Sequence, residues 1–129
     1  MAELVWVIED CPLTTTLIKV RLRSLGARAV CILSGRAAVS AWTAGEEPRP
    51  DVILIDLDLP GTNGFETGRM LRDTGYDGLL VLHTGPTSAA LVADDLAPLF
   101  DDLLVKPVAK HDLARVLEAA ASGRSRRAA

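Results

Sequence analysis

The chain has 129 residues, a formal net charge of −3 and 24% charged residues, which is the size and composition of one ordinary globular domain. The acidic balance gives no reason to expect nucleic acid as a direct partner, and no apolar run approaches the length of a membrane span. The two cysteines, Cys11 and Cys31, lack CxxC spacing and a histidine cluster, which favours free thiols in a reducing compartment over a zinc site or disulfide framework. We therefore expect a cytoplasmic protein without membrane insertion.

Short apolar runs alternate along the chain with segments whose apolar residues recur at helical spacing. The runs predict strands at 4–8, 29–33, 52–55, 79–83 and 103–105. Turn and capping residues predict where the helices begin and end. Pro12 is predicted to open the first helix and Gly26 to close it, while Gly35 is predicted to precede the second helix and Pro98 to end the fourth.

This alternation of strand and helix predicts a single α/β domain, in which a parallel sheet carries helices on both faces. No change of composition marks an internal domain boundary. We expect the domain to span 1–121. The basic segment 122–129, which contains GRSRR, is predicted to be a flexible tail or the start of a linker.

Polar side chains follow four of the predicted strands, at the edge where ligands bind in open parallel sheets. Glu9 and Asp10 follow the first strand, Asp56 the third, Thr84 the fourth and Lys106 the fifth. Three carboxylates at one edge repel each other strongly unless a cation joins them, and Mg²⁺ prefers such oxygen ligands. Lys106 adds a positive charge and Thr84 a hydroxyl donor. The set predicts a carboxylate nucleophile that takes a phosphoryl group.

The sequence resembles the response-regulator receiver domains of bacterial two-component signalling. The resemblance rests on four motifs in order, which are ED at 9–10, DVILIDLDLPGTNG at 51–64, HTG at 83–85 and KP at 106–107. It implies a flavodoxin-like, doubly wound (βα)5 fold whose five parallel strands have the order 2-1-3-4-5. It also implies a domain that phosphorylates itself from a phosphodonor and slowly loses the phosphoryl group, without conventional turnover.

The resemblance assigns the reacting groups. Asp56 would be the phospho-acceptor, Thr84 the switch hydroxyl and Lys106 the phosphate-binding lysine, with Pro107 following in an unusual, often cis, peptide geometry. The phosphoryl donor would be a histidine of a sensor kinase or phosphotransfer protein.

The resemblance also assigns a metal site. Glu9, Asp10 and Asp56 would hold Mg²⁺ or Mn²⁺, together with the backbone carbonyl of Asp58. Asp10 would be the direct ligand of the acidic pair, and Glu9 would act through water. His83 is interpreted as structural, because no second histidine lies at metal-ligand spacing.

The sequence departs from the family pattern close to these residues. Leu103 stands where an aromatic switch residue is usual, so the standard coupling of the threonine to a rotating ring cannot operate. Gly85 replaces the usual alanine or serine and should leave the acceptor accessible, while Pro86 removes an amide donor and stiffens the next loop. Asp58 places a second acid near the acceptor, and we predict that it alters the phosphoryl lifetime.

In receivers, the face made by the fourth helix, the fifth strand and the fifth helix commonly meets partners. Here it carries Leu91, Leu99, Phe100 and Leu103. If two or three of these side chains are exposed together, they indicate a homodimer or an output partner.

Two other functions fit parts of the sequence. IDLDLPGT resembles the first motif of haloacid-dehalogenase-like phosphatases, but in that family the motif follows the first strand, whereas here it follows the third. The second alternative is a receiver-like interaction module that takes no phosphoryl group. The complete acidic site argues against this module, and Leu103 favours it.

Overall fold

The computed structural model describes residues 3–46 and 48–123, in which five strands alternate with five α-helices. The strands are β1 (Leu4–Ile8), β2 (Arg28–Ile32), β3 (Val52–Asp56), β4 (Leu79–Thr84) and β5 (Asp102–Val105). The helices are α1 (Pro12–Ser24), α2 (Gly35–Thr43), α3 (Gly64–Asp73), α4 (Pro86–Val92) and α5 (Lys110–Ser122), and a short 3₁₀ turn, Ala93–Asp95, follows α4.

The strands form one parallel sheet in the order β2-β1-β3-β4-β5, which confirms the predicted topology. Every residue of β1, β3 and β4 is buried, because helices cover both faces of the central strands. The edge strands β2 and β5 are partly exposed. The predicted strands agree with the observed bounds to within one residue at each end.

Alternate residues along each central strand enter two separate hydrophobic cores. Trp6 and Ile53 face the core that α2 and α3 cover, whereas Val7 and Leu54 face the core that α1 and α5 cover. The unbroken apolar runs of the sequence therefore serve both faces of the sheet. They leave polar residues only at the ends of the strands, where the site lies.

The helix boundaries agree with the sequence in part. Pro12 begins α1, and Gly26 follows it with a positive φ of 84° that suits glycine. Gly35 is the first residue of α2 rather than the residue before it, because Ser34 caps the helix by accepting a hydrogen bond from the backbone N–H of Ala37 at 3.1 Å.

The prediction that Pro98 ends the fourth helix is wrong. The helix α4 already ends at Val92 and is followed by the 3₁₀ turn that contains Asp94 and Asp95. Two carboxylates at the C-terminal end of a helix oppose its dipole, which disfavours a further α-helical turn. The helix therefore stops before the proline is reached.

The helix α5 reaches Ser122, and Gly123 caps it in the left-handed conformation. The first two residues of the predicted tail, 122–129, are thus the end and the cap of α5. The other residues of the predicted tail, 124–129, lie outside the described residues. Within 3–46 and 48–123, the helices lack the combination of length and hydrophobicity needed to cross a membrane.

Candidate functional site

The acids that follow β1 and end β3 lie together at the carboxyl edge of the sheet. The register pairs Ile8 with Ile55, so that Glu9 comes next to Asp56. One oxygen each from Glu9, Asp10 and Asp56 lies within 4.8 Å of the others. Glu9 and Asp56 are buried, with 1% and 4% of their surface exposed, while Asp10 is exposed. The predicted acidic cluster is therefore formed.

Lys106 joins this cluster from the loop after β5. Its Nζ lies 3.0 Å from Oε1 of Glu9 and 3.1 Å from Oδ2 of Asp56, and a cis peptide bond links it to Pro107. Burial opposes the positive charge of Lys106, but the two carboxylates outweigh burial and raise its pKa. One ammonium thus bridges two buried acids that come from separate strands.

The charge of the cluster remains negative, because one lysine faces three carboxylates. Burial raises the pKa of Glu9, and the neighbouring charge of Asp56 adds to this effect. Lys106 and the backbone N–H of Cys11, which donates to Oε2 of Glu9 at 3.1 Å, act in the opposite direction. An all-oxygen set with excess negative charge, open to solvent at Asp10, fits a hard divalent cation.

The loop from Leu57 to Asn63, here named the acceptor loop, is closed at its base. The backbone N–H of Leu57 donates to the carbonyl of His83 at 3.1 Å, and the N–H of Gly64 donates to the carbonyl of Leu57 at 2.9 Å. A Cβ at Gly64 would lie 2.7 Å from the carbonyl oxygen of Asp56, so that glycine is required for α3 to begin this close to the strand.

The helix α3 also has a strong start signal. The side chain of Asn63 accepts the backbone N–H of Glu66 at 2.9 Å, and the side chain of Glu66 accepts the N–H of Asn63 at 3.4 Å. These reciprocal bonds form a capping box, which fixes the far end of the acceptor loop.

Thr84 lies at the same edge of the sheet, but its hydroxyl does not bond to Asp56. It donates to Oδ2 of Asp58 at 3.0 Å, and the backbone N–H of Asp58 in turn donates to Oδ1 of Asp56 at 3.1 Å. Thr84 is fully buried and Asp58 is exposed. The sequence indicated that all three residues share one site. The partner of the hydroxyl depends on a side-chain rotamer that no sequence pattern specifies.

His83 also lies at the site, because it occupies the position of β4 next to Asp56. It pairs with Asp56 across β3 and β4, is fully buried, and has its Nε2 3.7 Å from Oε1 of Glu9. Neither ring nitrogen has a hydrogen-bond partner among the described residues. Burial, assisted by the charge of Lys106, lowers the pKa of His83 to about 3, so that the ring is neutral at pH 7.

The structure shows what surrounds each position that departs from the family pattern. Leu103 is half-buried and packs against the core on the α2 and α3 side of the sheet. A Cβ at Gly85 would meet no atom within 4 Å apart from its chain neighbours, so this position has room for a side chain. Pro86 is the first residue of α4, where its missing N–H is of least consequence.

The residues predicted for a partner surface are not exposed as a group. Leu91 is 76% exposed, but Leu99 and Leu103 are only partly exposed and Phe100 is buried in the core. The condition set by the sequence, two or three exposed residues together, is therefore not met by these four side chains.

A family model described as the response regulator receiver domain matches residues 5–118. The chain belongs to this family. Its sheet order and its strand-end acids are those that the receiver resemblance implied. Membership of this family excludes the haloacid-dehalogenase-like phosphatases, whose first motif the segment around Asp56 resembles.

The relatives that this chain matches are longer than the matched segment. The DNA-binding response regulator MtrA of Mycolicibacterium smegmatis is 36% identical over 114 residues, which cover 88% of this chain and 48% of that protein. The virulence sensor protein BvgS of Bordetella bronchiseptica is 32% identical over 125 residues, which cover 92% of this chain and 10% of that protein. The chain thus spans about half of the first relative and a tenth of the second.

A solved structure agrees with the fold over nearly the whole length. The receiver domain of sensor histidine kinase PA1611 from Pseudomonas aeruginosa is 26% identical, has a TM-score of 0.79 and covers 95% of this chain and 99% of its own. That structure has a magnesium ion coordinated in its active-site cleft.

Proposed function

We propose that this receiver accepts a phosphoryl group on Asp56 from a phosphohistidine of a sensor kinase or phosphotransfer protein. The observation that carries the proposal is the bridging ammonium of Lys106, 3.0 Å from Glu9 and 3.1 Å from Asp56, beside the exposed carboxylate of Asp10. A nucleophilic carboxylate, a cation for the transferred group and ligands for a metal are thereby collected at one edge of the sheet.

In the proposed reaction, a carboxylate oxygen of Asp56 attacks phosphorus and the bond from phosphorus to the donor imidazole nitrogen breaks. The electron pair of that bond leaves with the imidazole, and an acyl phosphate remains on Asp56. Lys106 pairs with a phosphoryl oxygen, and the Thr84 hydroxyl donates to another. The protein contributes mainly positioning and charge stabilisation, as is general for phosphoryl transfer.

The metal in this proposal is Mg²⁺ or Mn²⁺. Asp10 and Asp56 would be direct ligands, Glu9 would act through water, and the backbone carbonyl of Asp58 would complete the protein ligands. When bound, the cation offsets the negative charge of the phosphoryl oxygens. The magnesium ion in the related receiver of sensor histidine kinase PA1611 and the cluster of three carboxylates in this chain both support the assignment.

We further propose that phosphorylation changes a surface formed by α4, β5 and α5, through which a second copy or an output partner binds. The exposed side chain of Val105 on β5 supports this surface, whereas Phe100 is buried and Leu91 lines the groove beside the acceptor loop. The related MtrA is named a DNA-binding response regulator and BvgS a virulence sensor protein, so the segments that match this receiver lie in proteins of different kinds. We place the phosphorelay in the cytoplasm.

The experiment is a phosphorylation assay of the intact chain with Mg²⁺ and acetyl phosphate, read by intact mass. We expect a base-labile adduct of one phosphoryl group on the wild type and no adduct on Asp56→Asn. The matched control is Asp95→Asn, the same chemical change on an exposed acid of the 3₁₀ turn, which should be labelled like the wild type.

Two results would contradict the proposal. An adduct that persists in Asp56→Asn would place the acceptor on another residue. A wild-type chain that takes no phosphoryl group under these conditions would favour the unphosphorylated interaction module.

A further inference from the structure

Asp58 contacts both the acceptor and the threonine. Its backbone N–H donates to Oδ1 of Asp56 at 3.1 Å, and its Oδ2 accepts the hydroxyl of Thr84 at 3.0 Å. Thr84 is fully buried, so its hydroxyl depends on a protein acceptor rather than on solvent. Asp58 is exposed, so its carboxylate retains water as an alternative partner.

A threonine hydroxyl has a single proton to donate. While that proton is directed to Asp58, it is not available to an oxygen on Asp56. We propose that Asp58 is a positioning residue, which holds the Thr84 hydroxyl in the resting protein and releases it when Asp56 carries a phosphoryl group. This inference rests on the proposed function and adds a control step to it.

The charge that phosphorylation brings would drive the release. A phosphoryl group adds about −1.5 to −2 charges and three strong acceptor oxygens. It therefore repels the Asp58 carboxylate and competes with it for the same proton. The carboxylate can turn into water, because it is exposed, whereas the buried hydroxyl must turn to the phosphoryl oxygen.

Asp58 also gives the signal a route that does not require an aromatic residue at position 103. Asp58 lines a groove between the acceptor loop and α4, together with Ser88 and Leu91 of that helix. Release of the carboxylate changes the charge along this groove. Leu103, in contrast, is packed against the core and has no hydrogen-bonding group that could follow Thr84.

The experiment measures the affinity for beryllofluoride, a tetrahedral phosphoryl analogue, at saturating Mg²⁺, by NMR of the backbone amides. The variants are Asp58→Ala, Asp58→Asn, Thr84→Val and the double variant Asp58→Ala/Thr84→Val. Asp58→Ala should bind about tenfold more tightly than the wild type, because both the competing acceptor and the repelling charge are removed.

Asp58→Asn keeps an acceptor for the hydroxyl and removes only the charge, so its gain should be smaller than that of Asp58→Ala. In the Thr84→Val background the gain from Asp58→Ala should shrink to the part due to charge, which gives a measurable coupling between the two residues. Asp94→Ala, which removes an exposed acid from the 3₁₀ turn, is the control and should leave the affinity unchanged.

A merely structural role for Asp58 predicts the opposite sign, because loss of a supporting contact would weaken binding. Equal or weaker binding by Asp58→Ala would therefore overturn the inference, and so would a gain that is undiminished in the Thr84→Val background. If the wild type is labelled by acetyl phosphate but shows no coupling, this inference alone fails. If the wild type takes neither acetyl phosphate nor beryllofluoride, the proposed function fails and the inference fails with it.

Discussion

The two halves of the site are built differently, although both lie at the carboxyl edge of one sheet. In the acid and lysine half, Glu9 and Asp56 are buried and the Lys106 ammonium bridges them. In the threonine half, one neutral hydroxyl, that of Thr84, bonds to the exposed carboxylate of Asp58. The first half concentrates charge in buried positions, and the second has a single bond to an exposed acceptor.

This difference indicates a division of labour. Charges held in place by buried contacts stabilise a transferring group without reorganisation at the moment of reaction. A hydroxyl that exchanges its acceptor for a phosphoryl oxygen, as we propose for Thr84, can instead report phosphorylation. We therefore expect variants of the first half to change the rate of phosphorylation strongly, and variants of the second half to change mainly how the phosphorylated state is recognised.

The largest expected contrast is between Lys106→Met and Thr84→Val. Loss of the bridging ammonium should slow adduct formation from acetyl phosphate about a hundredfold, because a preorganised charge near the transferring group is lost. Loss of the neutral hydroxyl should slow it only about tenfold. The measurement is the initial rate of labelling at saturating Mg²⁺.

Lys110→Met is the matched control for this contrast, since Lys110 lies exposed at the start of α5. Its labelling rate should equal that of the wild type. Equal losses of labelling rate in Lys106→Met and Thr84→Val would contradict the proposed difference between the two halves.

The second prediction concerns the pH dependence of stability that the neutral ring of His83, buried beside Glu9, contributes. The folded state binds this proton less readily than the unfolded state, since burial lowers the pKa of His83 from 6.5 to about 3. The resulting stability is complete above pH 6.5 and is lost as pH falls toward 3, at about 1.4 kcal/mol per pH unit. Relative to His83→Leu, the wild type should thus lose roughly 1 kcal/mol of unfolding free energy between pH 7 and pH 5.5.

Urea unfolding of both proteins at the two pH values provides the measurement. The raised pKa of Glu9 has the opposite sign, because it adds stability as pH falls, but it is present in both proteins and largely cancels in the difference. His111→Leu, at an exposed histidine of α5, is the control. A difference that does not depend on pH would show that His83 is not held neutral by the fold.

The smallest expected effect is that of Asn63→Ala, at the far end of the acceptor loop. Removal of the capping-box side chain should lower the free energy of unfolding by about 1 kcal/mol. The labelling rate should change by no more than about twofold, because the cap does not contact Asp56. Asn63→Ser retains a capping oxygen and should recover most of the stability, whereas a tenfold slower rate in Asn63→Ala would mean that the loop supports the acceptor directly.

The sheet was predictable because its central strands are unbroken apolar runs, and a run such as Val52 to Ile55 has few alternatives once turn residues follow it. The convergence of Glu9, Asp56 and Lys106 followed from the sheet alone, since the carboxyl ends of parallel strands meet at one edge. The end of α4 was not predictable from Pro98, because acidic residues stopped the helix earlier.

The side-chain contacts of the site depend on rotamers and packing that no sequence pattern predicts. The Thr84 hydroxyl bonds to Asp58, whose backbone N–H in turn donates to Asp56, and a side-chain rotamer decides which acceptor the hydroxyl meets. The lack of a second histidine at metal-ligand spacing indicates a structural role for His83. Its burial beside Glu9 depends on the register of β3 and β4 and on the folded position of Glu9.

The closed base of the acceptor loop has a consequence for how this protein can vary. Leu57 and Gly64 fix the two ends of the loop through backbone bonds, and a single methyl group at Gly64 would press on the carbonyl of Asp56. Gly61 at the tip is exposed, and a Cβ there would meet no atom within 4 Å apart from its chain neighbours, so we expect residues inserted there to extend into water. Loop length at the tip is therefore tolerant of change, while the choice of residue at its root is not.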